Sequence, residues 1–382
     1  MSKKRMKKTI MSLLFSFAFI GNSANASIPE APKVEAKSYV LMEYKTGKIL
    51  NELEADKKLA PASLTKIMTA FVVFDELQSG RLHMEDKVKI SKKAWKTDGS
   101  RTFVQEGTSV AVEDLIKGTI VQSGNDAATA LAEHISGSTS EFANLMNFHA
   151  RKIGMTNSHF KNPTGLPERG HYTTARDLAN LTKAMIDKFP EYYYIYQMKK
   201  FTYGDIPQNN RNKLLREDLG FDGLKTGYTR NAGYCYVGAS LRGDTRMIVT
   251  LLNEPSPKQR FEDAKKLVNY GFRFYETHKI INKEEAITEL TTRVLKGDID
   301  FTKVGAKEDL VVVLKRDEVE KIKYKAGVYE KITAPLPVGS KVGDIEVFLE
   351  GKSLGKIDLI TLDNIEEGGF FKRAKDTVLE YF

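Results

Sequence analysis

The residues best suited to chemistry are Ser63 and Lys66, in the stretch Pro61-Ala62-Ser63-Leu64-Thr65-Lys66. Ile67, Met68, Ala70, Phe71 and Phe74 follow at helical spacing until Gly80 ends the run. Pro61 has a fixed φ and no amide proton to lose, so the spacing predicts a helix that starts there. Ser63 then falls in the first turn, where unpaired amides and the helix dipole favour negative charge. Lys66 lies three residues on and on the same face, its Cβ about 5–6 Å away. A hydroxyl and an amine so placed can be a nucleophile and its base. Taken alone, Ser-x-x-Lys is more often plain helical surface.

Two further short motifs follow it. Ser123-Gly124-Asn125 interrupts two helical runs, 112–122 and 126–135. The glycine punctuates, and Asn125 or Asp126 can cap the second run, so by itself this reads as a helix-turn-helix corner. The pattern stays mostly helical to about Phe189 and then changes. Gly220-Phe221-Asp222-Gly223-Leu224 leads into Lys225-Thr226-Gly227-Tyr228. Strand-like runs over 234–241 and 247–253 come next, joined by a hairpin turn at Arg242-Gly243-Asp244-Thr245. Lys225-Thr226-Gly227 therefore opens or lies on a strand. A helical stretch over 259–276 closes this region. A second Lys-Thr-Gly, at 45–47, sits in the turn of a hairpin over 38–54, before the serine helix.

The flanks bound the setting. Lys3, Lys4, Arg5, Lys7 and Lys8 precede an apolar run over about 10–20 and an Ala24-Asn25-Ala26 site, the pattern of a cleaved export signal over 1–26. The apolar run falls short of the roughly 20 residues a membrane span needs, an uncleaved anchor being the alternative reading. Removing those five basic residues leaves 54 Lys and Arg against 50 Asp and Glu, a net +4 in place of the formal +9. That surplus is too small to argue for nucleic acid. Cys235, the single cysteine, lies in an apolar stretch and can form no internal disulfide. The length implies two domains, at 27–274 and 275–365. The second shows short alternating strands broken by Gly, Pro and Asp, which indicates a small all-β sandwich. In the tail over 366–382, Phe370, Phe371, Ala374, Val378, Tyr381 and Phe382 share a sector of about 120° on a helical wheel, with charges around the rest. Such a stripe can dock on its own protein, but exposed Phe pairs at a free end favour a membrane surface.

Ser63-x-x-Lys66, Ser123-x-Asn125 and Lys225-Thr226-Gly227 occur in the order of the S-x-x-K, S-x-N and K-T-G set. With them the chain resembles a penicillin-binding, serine-type D-alanyl-D-alanine carboxypeptidase of the low-molecular-mass, membrane-anchored kind. The likeness covers the whole mature chain and includes Gln122 to Ala127, Asp222 to Gly227 and Asn269 to Phe274. It implies an α/β (α+β) β-lactamase/transpeptidase-like domain, an antiparallel sheet flanked by helices, beside the all-β domain. It also implies removal of the terminal D-Ala from peptidoglycan pentapeptides through an acyl-enzyme, covalent inhibition by β-lactam antibiotics, and a place on the outer face of the cytoplasmic membrane.

The resemblance further assigns roles. Ser63 attacks the penultimate D-Ala carbonyl. Lys66 is the base, kept neutral by burial and by a neighbouring cation, Lys225. Ser123 relays a proton, and Asn125 binds the substrate amide and holds Lys66. Lys225 and Thr226 take the terminal carboxylate, and Gly227 leaves room for the peptide along the strand. Amides of Ser63 and Tyr228 form the oxyanion hole. Arg211 and Arg260 match basic positions near the carboxylate pocket, surface salt bridges being the other reading. No cofactor is implied, and no His-Glu-x-x-His or carboxylate cluster indicates a metal. The loop Asn162-Pro163-Thr164-Gly165-Leu166-Pro167-Glu168 lacks the Glu-Leu-Asn pattern with which similar β-lactamases deacylate, so Glu168 reads as surface. An endopeptidase on the same scaffold, or an idle wall-binding protein, are the other readings. Intact Ser63, Lys66 and Lys225 argue against the idle one.

Overall fold

The computed structural model describes residues 29–379 and the backbone of Lys8–Thr9. The rest of the 1–26 segment, and Tyr381 and Phe382 of the tail stripe, lie outside the described residues. Contacts divide the chain into Ile28–Phe274 and a unit made of Met1–Ser27 with Tyr275–Phe382.

The first unit is built on five antiparallel strands: β1 (Ser38–Glu43), β2 (Ile49–Leu53), β3 (Phe221–Thr229), β4 (Gly233–Arg242) and β5 (Thr245–Glu254). Their spatial order is β2-β1-β5-β4-β3, so the Lys225-Thr226-Gly227 strand is an edge. Period-two alternation gives the sheet two apolar faces. Val40, Met42, Val237 and Ile248 join the core of the helical body, formed by α1 (Thr65–Gln78), α2 (Val112–Lys117), α3 (Asn125–Ser136), α4 (Thr139–Lys152) and α5 (Ala175–Lys188). On the other face lies α6 (Gln259–Phe274). Gly271 lets it close in, since a Cβ there would sit 3.1 Å from Met247 Sδ and 3.4 Å from Leu41 Cδ2. Helices on both faces of an antiparallel sheet agree with the fold expected from the resemblance. α1 is apolar nearly all round and is buried through its first three turns, as a central helix must be. The hairpin over 38–54 forms as read, and its Lys45-Thr46-Gly47 is only a turn, with the Lys45 and Thr46 amides donating to the Glu43 carboxylate.

In the second unit β7 (Ala286–Leu295), β8 (Phe301–Ala306), β10 (Ile322–Tyr329), β11 (Lys331–Thr333), β12 (Lys341–Leu349) and β13 (Lys352–Thr361) make one sheet, ordered β10-β12-β13-β8-β7-β11. Lys8–Thr9 pairs on its β10 edge. β6 (Tyr275–Ile281) and β9 (Leu310–Lys315) pair separately. Val304, Val342, Val347 and Leu359 are among the residues of their common core. This is the all-β unit the turn spacing indicates. The tail forms α7 (Phe370–Leu379).

Candidate active site

The nucleophile candidate sits on a strained turn. Ser63 occupies a 3₁₀ turn, Ala62–Leu64, that runs directly into α1. Ala62 is left-handed at φ 47°, a conformation that an alanine side chain resists. Two glycines hold the turn. A Cβ on Gly165 would lie 1.8 Å from Ala62 O, and one on Gly227 would lie 3.1 Å from Pro61 O and 3.3 Å from Ser63 N. The missing side chain of Gly227 also lets the edge strand β3 approach the serine turn, a second reason for glycine beside the room for substrate that the resemblance implies. This brings strand β3, at Gly227, against the Ser63 amide.

Lys66 is 1% exposed, and its Nζ donates to Thr164 O at 2.7 Å and lies 3.2 Å from Ser63 Oγ. Burial lowers its pKa to about 7, with the Arg211 guanidinium pushing the same way and Asp126 opposing. Near neutral pH a sizeable fraction is therefore the free amine. The amine then has two N–H groups and one lone pair. With one N–H fixed on Thr164 O, the lone pair can accept the Ser63 hydroxyl proton.

Arg211 is a further cation acting on Lys66, beside Lys225, whose charge and that of Lys66 repel each other. One expectation changes here. Asn125 makes no hydrogen bond to Lys66: its side-chain nitrogen donates to Asp98 O, and its Oδ1 has no partner among the described residues. Thr164 does the holding, and sequence reasoning missed it. Asn-Pro-x-Gly at 162–165 does read as a turn, but nothing in it says that a turn carbonyl will face a lysine.

Ser123 and Asn125 come from a π-helical turn, Gly118–Gln122, followed by the start of α3. Ser123 is left-handed at φ 67°. Gly124, and neither Asn125 nor Asp126, is the residue at the cap. Asp126 instead clamps the neighbouring loop, accepting from the amides of Thr102 and Phe103, each at 2.8 Å. Ser123 Oγ and Asn125 Oδ1 are buried and have no hydrogen-bond partner among the described residues. Unpaired buried polar atoms of this kind cost about 1–3 kcal/mol each unless a ligand completes them.

Lys225 lies on β3 and is 2% exposed, with Nζ donating to Thr226 O at 3.2 Å. Burial, then the charges of Lys66 and Arg211, hold its pKa well below that of a free lysine. An arriving carboxylate would restore its charge. Arg260 is buried on α6, donates to Gly227 O at 3.2 Å and faces the Tyr234 ring at 5.6 Å. Arg211 donates to Gln122 O at 3.0 Å. Neither arginine forms an ion pair with a carboxylate among the described residues, so the salt-bridge reading falls. Tyr228 is 54% exposed and stacks on Tyr234 at 4.4 Å. The site therefore holds a hydroxyl, a depressed amine, unpaired polar atoms and surplus positive charge. It is arranged to receive an anion beside a reacting carbonyl.

Comparison with known proteins agrees. The D-alanyl-D-alanine carboxypeptidase family profile matches residues 25–256, and the profile of the penicillin-binding protein 5 C-terminal domain matches 275–367. The chain is 42% identical to D-alanyl-D-alanine carboxypeptidase DacC of Escherichia coli, over 97% of this chain and 94% of that one. It superposes on penicillin-binding protein 5 of Haemophilus influenzae with a TM-score of 0.80 at 37% identity, covering 89% and 100% of the two chains. It also matches penicillin-binding protein D2 of Listeria monocytogenes, solved with ampicillin bound, with a TM-score of 0.58 at 31% identity over 63% and 98%. With that geometry and that likeness together, the chain belongs to the D-alanyl-D-alanine carboxypeptidase family and is a serine-type enzyme of that kind.

Proposed function

We propose that Ser63 cleaves the D-Ala-D-Ala bond at the end of a peptidoglycan pentapeptide, at the outer face of the cytoplasmic membrane. The observation that carries this is the 3.2 Å approach of a buried amine, pKa about 7, to the Ser63 hydroxyl. Neutral Lys66 takes the hydroxyl proton as Oγ bonds to the penultimate carbonyl carbon. Amides of Ser63 and Tyr228 receive the oxyanion. The C–N bond then breaks, and the leaving amine takes the proton from Lys66 through Ser123 Oγ. Asn125 Oδ1 accepts from the substrate amide. Lys225, Thr226, Arg211 and Arg260 face the terminal carboxylate. Water next attacks the ester carbonyl and gives its proton to Lys66, which passes it to Ser63 Oγ as the ester C–O bond breaks. A β-lactam enters by the same attack, its amide bond opening in place of the peptide bond. The fragment stays attached, so water is slow to reach the ester.

The tail supports attachment to a membrane surface. Asp376 accepts from Lys296 N at 2.6 Å, and Lys372 pairs with Asp300 at 2.9 Å, which pins the polar side of α7 to its own domain. At 100° per residue, Asp376 stands about 180° from the centre of the apolar stripe. Phe370, Phe371 and Val378 accordingly point outward, Phe371 being 87% exposed. Ten helical residues span only about 15 Å, so α7 lies along a bilayer and does not cross it. No helix among the described residues is long and apolar enough to cross a membrane.

Incubation with a peptide ending in D-Ala-D-Ala, quenched in acid and mapped by mass spectrometry, tests the chemistry. The expected result is one released D-Ala per turnover and an acyl adduct on the Ser63 peptide, with benzylpenicillin adding to the same residue. An adduct elsewhere would overturn the reading.

A further inference from the structure

The loop that supplies Thr164 grips the serine helix at four points. Three use its backbone: Thr164 O accepts from Lys66, Pro163 O accepts from Thr69 Oγ1 at 2.7 Å, and Gly165 presses on Ala62. The fourth joins two side chains. His171 Nε2 lies 2.9 Å from Thr65 Oγ1, in the residue just before Lys66. His171 also closes the loop on itself, its N–H donating to Glu168 O at 3.1 Å. The ring is buried and meets Phe160 edge-on, centroids 5.8 Å apart.

We propose that His171 is a positioning residue for acylation: its bond to Thr65 locks the 162–171 loop onto the serine helix, and this lock keeps the Thr164 carbonyl on Lys66 so that the amine lone pair faces Ser63. The proposal rests on reading Lys66 as the base. His171 is hydrogen-bonded to neither Ser63 nor Lys66 among the described residues, so it acts through Thr65 and the loop.

The chemistry of the bond fits a permanent lock. His171 Nδ1 is buried with no hydrogen-bond partner among the described residues. A bare ring nitrogen is cheaper to bury than an unpaired N–H, so the proton belongs on Nε2 and is donated to Thr65. Burial, helped by His159, lowers the imidazole pKa to about 4. The lock is therefore unchanged over the range in which Lys66 titrates. Its value lies in geometry, since a displacement of about 1 Å at a reacting pair can cost on the order of 100-fold in rate. It also keeps water from Lys66, whose depressed pKa comes first from burial.

Three variants test this. His171→Phe keeps a ring against Phe160 and removes the donor, His171→Gln keeps a donor at similar reach, and Thr65→Val removes the acceptor. Acylation by a fluorescent penicillin is measured from pH 5.5 to 9.5, per penicillin-titratable site, alongside Tm. His171→Phe and Thr65→Val should each be about 5- to 10-fold slower at pH 7, with the midpoint of the pH profile raised by about one unit. A rise of that size follows if water reaches Lys66, and it reduces the neutral fraction by about that factor. The double variant should be no slower than either single one, and His171→Gln should stay within about 3-fold of wild type.

A lower Tm with wild-type rate and midpoint in His171→Phe would overturn the proposal, leaving His171 a packing residue. So would His171→Gln as slow as His171→Phe. Should His171→Phe fail to fold, an unmoved midpoint in Thr65→Val overturns it equally. The base reading fails separately, if wild type shows no midpoint near 7 or if Lys66→Ala acylates normally.

Discussion

The serine turn and the tail helix both invert the usual distribution of polar and apolar groups, in opposite directions. Around Ser63 the chain buries what is normally solvated: Lys66, Lys225, Arg260 and the unpaired Ser123 Oγ and Asn125 Oδ1. In α7 it exposes what is normally buried, Phe370, Phe371 and Val378, while Asp376 is pinned inward. Each inversion costs stability unless something outside the chain completes it. At the serine turn the completing partner is a small anion with a reactive carbonyl. Along the tail the partner we propose is an extended apolar surface. Two kinds of ligand can thus be inferred from the two signs of one imbalance.

The largest effect that could break this comparison is at the nucleophile. Ser63→Ala should abolish D-Ala release and penicillin labelling, a loss of at least about 10⁴-fold, since the groups of such a unit fail together. Labelling retained by the pure, folded variant would remove the serine turn from the comparison. Lys66→Ala should match it with the fold intact, as read from an unchanged melting profile.

Lys225→Ala sharpens the point about charge. A charge-assisted hydrogen bond to a carboxylate contributes about 1.5–3 kcal/mol, so affinity for a D-Ala-D-Ala peptide with a free carboxylate should fall about 10- to 100-fold. The C-terminally amidated peptide should be nearly unaffected. Equal losses on both would mean that Lys225 serves the turn and not the anion.

For the tail, Phe370→Ser with Phe371→Ser should lower partition onto anionic vesicles about 10-fold or more, because each Phe contributes roughly 1.5–3 kcal/mol when fully buried. Turnover of a soluble peptide should not change. Unchanged sedimentation with vesicles would place the anchor elsewhere, most simply in the 1–26 segment.

Much of this was legible in the sequence because it rests on local signals. Periodicity located the 38–54 hairpin, α1, the 233–254 hairpin and the alternating strands of the second unit. The ordered triplets located Ser63, Lys66, Ser123, Asn125 and Lys225. What stayed hidden depends on approach between distant segments. Thr164 reaches Lys66 across 98 positions, and His171 reaches Thr65 across 106. Arg211 joins Lys225 among the cations around Lys66, and Gly227 lies against Pro61 and Ser63. No spacing rule encodes such contacts. A backbone carbonyl carries no residue identity, so the Thr164 contact leaves no trace in its own side chain.

The smallest effect expected concerns a third inversion that serves no ligand. Glu254, at the end of β5, is buried, and neither of its oxygens has a hydrogen-bond partner among the described residues while it is ionised. Burial first, then the charges of Asp263 and Glu35, raise its pKa to about 8. Protonated, it can donate to Asp263, which is itself held by Lys266, Gln259 and the Glu35 amide. The folded state then keeps a proton that the unfolded chain gives up near pH 4.5. Its contribution is present in full below about pH 4.5 and is lost as pH rises toward about 8. Partial screening reduces this to an order of 2 kcal/mol, a few degrees in Tm for a domain of this size. Glu254→Gln cannot ionise, so it should flatten that part of the Tm-against-pH curve while leaving acylation per folded molecule unchanged. A variant that keeps the wild-type slope would show that Glu254 is already ionised and solvated. One that instead altered acylation would make this a third functional inversion.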